Sequence, residues 1–143
     1  VEVVLDASIA VKWFNVKYED NVDIALQIQR QKILNKLEII VPDLFFLEII
    51  NVFLTKSKFR IEDIFIIEEA LHKMDLKVVY PDHSALNNAI GVAYTCNLTI
   101  YDSLYIAVAK LYNASLLTED KKILKNRNKF KFISSLEEFR MVF

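Results

Sequence analysis

Five acids stand where a greasy 143-residue chain has least use for them. Asp6 closes the run VEVVLD, and Glu48 lies inside VPDLFFLEIINVFL. Asp102 and then Glu119 and Asp120 bracket the apolar stretch TIYDSLYIAVAKLYNASLLTED, residues 99–120. Taken singly, Asp6, Asp102 and either Glu119 or Asp120 have an ordinary explanation, because each stands where a helix is expected to begin and carboxylates cap helices. Glu48 has none. It falls mid-helix, and its neighbours at helical spacing are Leu44, Phe45 and Val52, with Asn51 the one polar exception. A buried carboxylate is costly unless it is paired or binds a metal. Its own helix supplies no cation nearby, since Lys56 is two turns away, so a Lys or Arg from elsewhere is the alternative to a metal.

The elements that must position these acids follow from the apolar pattern. VEVVL has the continuity of a strand buried on both faces, and ASIAVKWF continues it as a short helix. Helical spacing of Val22, Ile24, Ala25, Ile28 and Leu34 predicts a helix over 20–36. EIIV reads as a strand ended by Pro42, which suits the first turn of the next helix. That helix, over 43–57, is apolar nearly all round and is expected to be packed on every side. Further helices are predicted over 61–74, over 83–95 with Asp82 as cap, over 101–113, and briefly from Glu119. Strands are predicted at KVVY, ASLLT and FKFI. Alternation of strands and helices argues for an α/β fold with a parallel sheet covered on both faces.

In such a sheet, ligands bind at the carboxyl ends of the strands. Asp6 and Asp120 each follow a predicted strand, and Asp102 opens a helix that returns to the same edge. Like charges gathered there would repel by about 3 kcal/mol per pair at ~5 Å and an effective dielectric of ~20. A hard divalent cation, Mg²⁺ or Mn²⁺, relieves this, so Asp6, Glu48, Asp102 and Asp120 are expected to meet around one.

Composition removes several rival classes. One cysteine, Cys96, excludes an internal disulfide framework and a cysteine-based zinc site, and fits a reducing compartment. No apolar run approaches a membrane span, and no basic segment followed by a signal-peptide core opens the chain, so a soluble, cytoplasmic protein with no membrane partner is expected. The 54% hydrophobic content and the lack of any linker or repeat point to one domain, residues 1–143. A single Gly rules out a glycine-rich phosphate loop. His72 and His83 are isolated, and no Ser–His–acid or Cys–His arrangement suggests itself.

VVLDASIAVKWF, VPDLFFLEIINVF and TIYDSLYIAVAKLYNASLLTEDKKI, taken in that order, resemble the motifs of PIN-domain ribonucleases, and specifically of the VapC toxins of prokaryotic toxin–antitoxin pairs. The resemblance spans nearly the whole chain. It implies an α/β/α sandwich with a central parallel sheet, dependence on Mg²⁺ or Mn²⁺, and endonucleolytic cleavage of RNA. It implies a homodimer too, and inhibition by a cognate antitoxin that occupies the active-site groove. Carried onto this sequence it makes Asp6, Glu48, Asp102 and Asp120 the acidic quartet, with Ser8, Thr118 and Asn51 orienting ligands or substrate. No further acid stands one turn after Asp102, where Ile106 is found.

Net charge is −1, but DKKILKNRNKFK (120–131) and KSKFR (56–60) concentrate basic residues. Lys121, Lys122 and Lys125, directly after Asp120, are candidates for guiding RNA; a solvated surface is the plainer explanation of such a run. The alternatives to a ribonuclease are a PIN-like module that binds RNA or protein without cutting, and a structure-specific DNA nuclease.

Overall fold

Short runs rich in β-branched residues, at 3–5 and 39–41, form strands, whereas the longer apolar stretches are helical. The computed structural model describes residues 1–15, 20–56 and 58–139; Ser57, in the second basic run and at the end of the helix expected over 43–57, lies outside them. The chain runs through β1 (Glu2–Leu5), α1 (Ala7–Ala10) with a 3₁₀ turn at Val11–Trp13, α2 (Val22–Ile33), β2 (Glu38–Pro42), α3 (Leu44–Thr55), α4 (Ile61–Lys73), β3 (Lys77–Val79), α5 (His83–Cys96), α6 (Ile100–Tyr112), β4 (Ser115–Leu117), α7 (Lys121–Leu124), β5 (Ile133–Ser134) and α8 (Leu136–Phe139). The strands form one sheet in the order β3-β2-β1-β4-β5, every pair parallel.

Successive side chains of a strand point to opposite faces. Val3, Val4 and Leu5 of β1, Ile39, Ile40 and Val41 of β2, and Leu116 and Leu117 of β4 are all fully buried, so helices cover both faces. This is the three-layer α/β/α sandwich expected. α6 lies across β1, β2 and β4, with α5 packed against it.

The single glycine, Gly91, lies within α5 and ends no helix. Asparagine takes that task, because its short polar side chain tolerates the left-handed backbone better than most. Asn35, Asn97 and Asn113 turn the chain after α2, α5 and α6 with φ of 56°, 54° and 50°, and Asp75 does so after α4.

Two expectations are corrected. The helix over 43–57 is not packed all round: Phe45, Ile49 and Phe53 face the core, whereas Leu47 is 75% exposed and Leu54 62%. Its outer face borders an open groove instead of a neighbouring element. Pro42 is not in the first turn of α3 but is the last residue of β2, in register with Val79. The β1–β2 ladder ends at Ile40, so no bond is lost where Pro42 lacks an N–H.

The strand order reverses direction at β1, with β2 and β3 to one side and β4 and β5 to the other. The crevice at the carboxyl ends of β1 and β4 is therefore the topological switch point of the sheet, where α/β folds place their ligands.

Candidate active site

β1 and β4 end together. Leu5 is in register with Leu117, and the Asp6 N–H donates to the Leu117 carbonyl at 3.0 Å. One residue further on, Asp6 and Thr118 lie side by side. Asp6 Oδ2 accepts hydrogen bonds from Ser8 Oγ at 2.6 Å and Thr118 Oγ1 at 2.8 Å. Each hydroxyl is itself fixed by a backbone donor, the Glu119 N–H to Ser8 Oγ (3.0 Å) and the Asp120 N–H to Thr118 Oγ1 (2.9 Å). With a lone pair occupied in this way, each hydroxyl turns its own proton to Asp6. Asp6 occupies the N-cap position of α1 yet makes no side-chain cap bond, which removes the ordinary explanation for it.

The other acids divide. Asp120 does cap α7, its Oδ1 accepting from the N–H groups of Lys122 (2.8 Å) and Ile123 (3.2 Å). Asp102 does not cap α6; Thr99 does, and its Oγ1 accepts from the Asp102 N–H at 3.1 Å. Glu119 is drawn aside, its Oε1 accepting from Asn21 Nδ2 at 3.3 Å. Glu48 is half-buried on α3, and its Oε1 accepts from the Tyr105 hydroxyl at 2.7 Å. Its partner is thus a phenol from α6, in place of the Lys or Arg considered from the sequence.

Burial, reinforced by the charges of Asp120 and Asp102 and opposed by the Ser8 and Thr118 bonds, raises Asp6 to about 6. Burial also raises Glu48, to about 7, with Asp6, Asp102 and Asp120 adding to the rise and Tyr105 opposing it. Asp102 is raised by burial and then by Asp120, against Thr99 and Lys122. The charges of Asp102 and Asp120 act on Asp6, and those of Asp6, Asp102 and Asp120 on Glu48, so the four lie about one crevice although they come from the end of β1, from α3 and α6, and from the cap of α7. The Tyr105 phenol, itself fully buried, is pushed well up by burial and by Asp6 and Glu48, which keeps it a hydrogen-bond donor.

Tyr105 is the residue that reading the sequence missed. The signal was present: it lies one helical turn after Asp102, on the same face, and a buried tyrosine needs a partner for its hydroxyl. In an otherwise apolar helix nothing else set it apart.

Next to the acids runs a groove of about 620 Å³ whose walls include Leu47, Leu54 and Tyr101 together with Glu48, Asn51 and Asp102. Asn51 is exposed there. Lys121, Lys122 and Lys125 are also exposed, and Lys122 is near enough to Asp102 to act on its ionisation.

A family model described as PIN domain matches residues 3–129. The chain belongs to the PIN domain family. No curated protein matches it. Among solved structures, the PIN domain described here is similar to PAE2754 of Pyrobaculum aerophilum, with 22% identity, 99% of this chain and 94% of that chain covered, and a TM-score of 0.69. It is also similar to a chain of a toxin–antitoxin complex from Klebsiella pneumoniae (12% identity, 94% and 97% covered, TM-score 0.67). A third such structure is VapBC2 of Rickettsia felis bound to a promoter DNA fragment (16% identity, 94% and 98% covered, TM-score 0.62). At these identities the likeness establishes the fold.

Whether the PIN domain's acids suit a metal is a question of donor chemistry. All four donors are hard carboxylates with no thiolate or imidazole among them, a set that fits Mg²⁺ or Mn²⁺. Among the described residues, no three His, Cys, Asp or Glu side chains are already gathered to metal-binding spacing. Mg²⁺ does not require such a cage, since it commonly takes one or two carboxylates and keeps several waters.

Proposed function

We propose that this PIN domain is a Mg²⁺- or Mn²⁺-dependent endoribonuclease, the toxin of a VapBC-type toxin–antitoxin pair. The observation that carries this reading is the convergence of Asp6, Glu48, Asp102 and Asp120 at the switch point of the sheet, with no ion pair to a Lys or Arg among the described residues to explain it. When bound, the cation supplies polarisation of a phosphodiester and a lowered pKa for water. Asp6, Asp102 and Asp120 hold it, and Ser8 and Thr118 keep the Asp6 carboxylate in place. Their protons are already committed to Asp6, so they orient a ligand and not the substrate phosphate. Glu48 joins the acids through Oε2, its Oε1 being held by Tyr105. Its carboxylate is placed to accept a proton from the attacking water. Asn51 contributes to the wall along which RNA would lie.

Single-stranded RNA is expected to be cut by the pure protein with Mg²⁺ or Mn²⁺ and left intact with EDTA. RNA that stays intact with metal present would overturn the reading in favour of a binding module. Cleavage confined to structured DNA would do so in favour of a DNA nuclease.

Lys121, Lys122 and Lys125 guide RNA to the acids in this reading. Replacing all three with Ala should weaken RNA binding and reduce the slope of log affinity against log salt by up to about 2, at roughly 0.7 for each single-strand phosphate no longer neutralised by a lysine. Unchanged binding across a salt series would return the run to a solvated surface.

The antitoxin is the partner that the groove suits. An apolar segment laid against Leu47, Leu54 and Tyr101 would cover Glu48 and Asp102 as well, and two of the structural neighbours are described as toxin–antitoxin or VapBC structures. An RNA target places the pair in the cytoplasm, and no helix among the described residues is long and apolar enough to cross a membrane.

Self-association is expected through α4. Ile64, Ile67 and Leu71 face the core, while Ile61, Phe65 and Ile66 stand on the outside, with Phe65 66% exposed. Light scattering at micromolar concentration should give the mass of a dimer, and Phe65→Lys should give a monomer. A monomeric parent would remove the homodimer from this proposal.

A further inference from the structure

We propose that Tyr105 is the positioning residue for Glu48, fixing its carboxylate for the work of the acid cluster. The inference rests on the metal-dependent reading above and assigns a role within that site. Glu48 lies on α3 with exposed Leu47 beside it in sequence and the open groove along its helix. A glutamate there has three side-chain torsions and, left alone, would turn its carboxylate towards water in the groove. The Tyr105 hydroxyl prevents this by donating to Oε1 at 2.7 Å. That donor is itself immobile. Tyr105 is fully buried, in the stretch of α6 from Ser103 to Ala109 that is buried at every residue, and α6 packs on β1, β2 and β4.

The phenol oxygen is also approached by the backbone N–H of Ala7. Ala7 follows Asp6 directly, so one hydroxyl ties the helix of Glu48 to the strand end that carries Asp6. Ser8 and Thr118 likewise donate to Asp6, and backbone N–H groups orient both of those hydroxyls. Asp6 and Glu48 are therefore each held by hydroxyl donors that are themselves fixed in place. Partners of this kind, which touch a ligand and not the ion, are worth about 10–100-fold in metal affinity or activity.

Tyr105→Phe removes one oxygen and keeps the ring that fills the core. The variant should retain the far-UV spectrum of the parent. Its kcat for RNA cleavage should fall by about 10–100-fold, with KM for RNA unchanged, because the substrate path is untouched. Mn²⁺ affinity, read by calorimetry without RNA, should fall by about 10-fold. In a Glu48→Gln background the same substitution should add nothing to either loss, since it acts through a carboxylate already gone. Tyr105→Phe with the parent's kcat and Mn²⁺ affinity would overturn the role. So would losses in the double variant equal to the product of the single ones, which would mark Tyr105 as acting through general packing. A parent that binds no Mn²⁺ and cuts no RNA would overturn the proposed function itself, and this role with it.

Discussion

Asp6→Asn should abolish Mg²⁺-dependent RNA cleavage and, with EDTA present, make the protein more stable at neutral pH by about 1–3 kcal/mol. The two effects have one cause. Asp6 is buried and carries a charge opposed by burial and by its neighbours Asp120 and Asp102. Asparagine removes that charge at nearly constant volume. It keeps an acceptor too: Ser8 and Thr118 both donate to the same oxygen, Oδ2, and an amide carbonyl can take its place. An Asp6 that served only as a helix cap would give little change, because Asn caps about as well as Asp. Thermal melts of parent and variant, each with EDTA and with Mg²⁺, measure both halves. The parent should gain stability from Mg²⁺ by mass action on the folded state, and the variant should gain much less. A variant with full cleavage and the parent's Mg²⁺ shift would show that Asp6 holds no metal.

Without metal, the protein should lose stability as pH rises from about 4 to about 7. Asp6 stands at about 6 in the folded chain against 3.8 unperturbed, and Glu48 at about 7 against 4.5. Between those limits the folded state binds more protons than the unfolded state, so stability falls with rising pH. The contribution is fully present below about 4 and is gone above about 7. One pKa unit corresponds to about 1.4 kcal/mol, so Asp6 by itself accounts for roughly 3 kcal/mol. Coupling between the two acids holds the total to about 3–5 kcal/mol. Urea melts in EDTA at pH 5 and pH 8 should show the larger part of this difference, and Asp6→Asn should reduce it. A curve that is flat or rises over the window would mean that these carboxylates are already satisfied in the folded chain.

Much of this architecture was legible in the residues. VEVVL, EIIV and ASLLT each hold two or three consecutive apolar residues in a short run, which suits a strand covered on both faces, and their alternation with helices leaves a parallel sheet as the natural outcome. Asp82 as a cap was equally plain, since capping is a local bond, here from the Ala85 N–H at 2.8 Å. Glu48 announced itself by contrast, a carboxylate with apolar neighbours along its own helix. What the sequence could not decide was which local explanation each acid would satisfy. Asp6, Asp102 and Asp120 all stand at helix starts, yet only Asp120 caps with its side chain.

The difference comes from strand register. Pairing Leu5 with Leu117 sets Thr118 beside Asp6, and that relation between residues 112 positions apart has no trace in local pattern. Tyr105 was hidden for the same reason. Its helix is apolar enough to read as core, and its polar function exists only because α6 and α3 bring its hydroxyl to Glu48. Periodicity likewise told that α3 was greasy without telling which side would be covered. The exposure of Leu47 and Leu54 depends on what packs next to the helix, so the groove beside the acids is a property of the assembled fold.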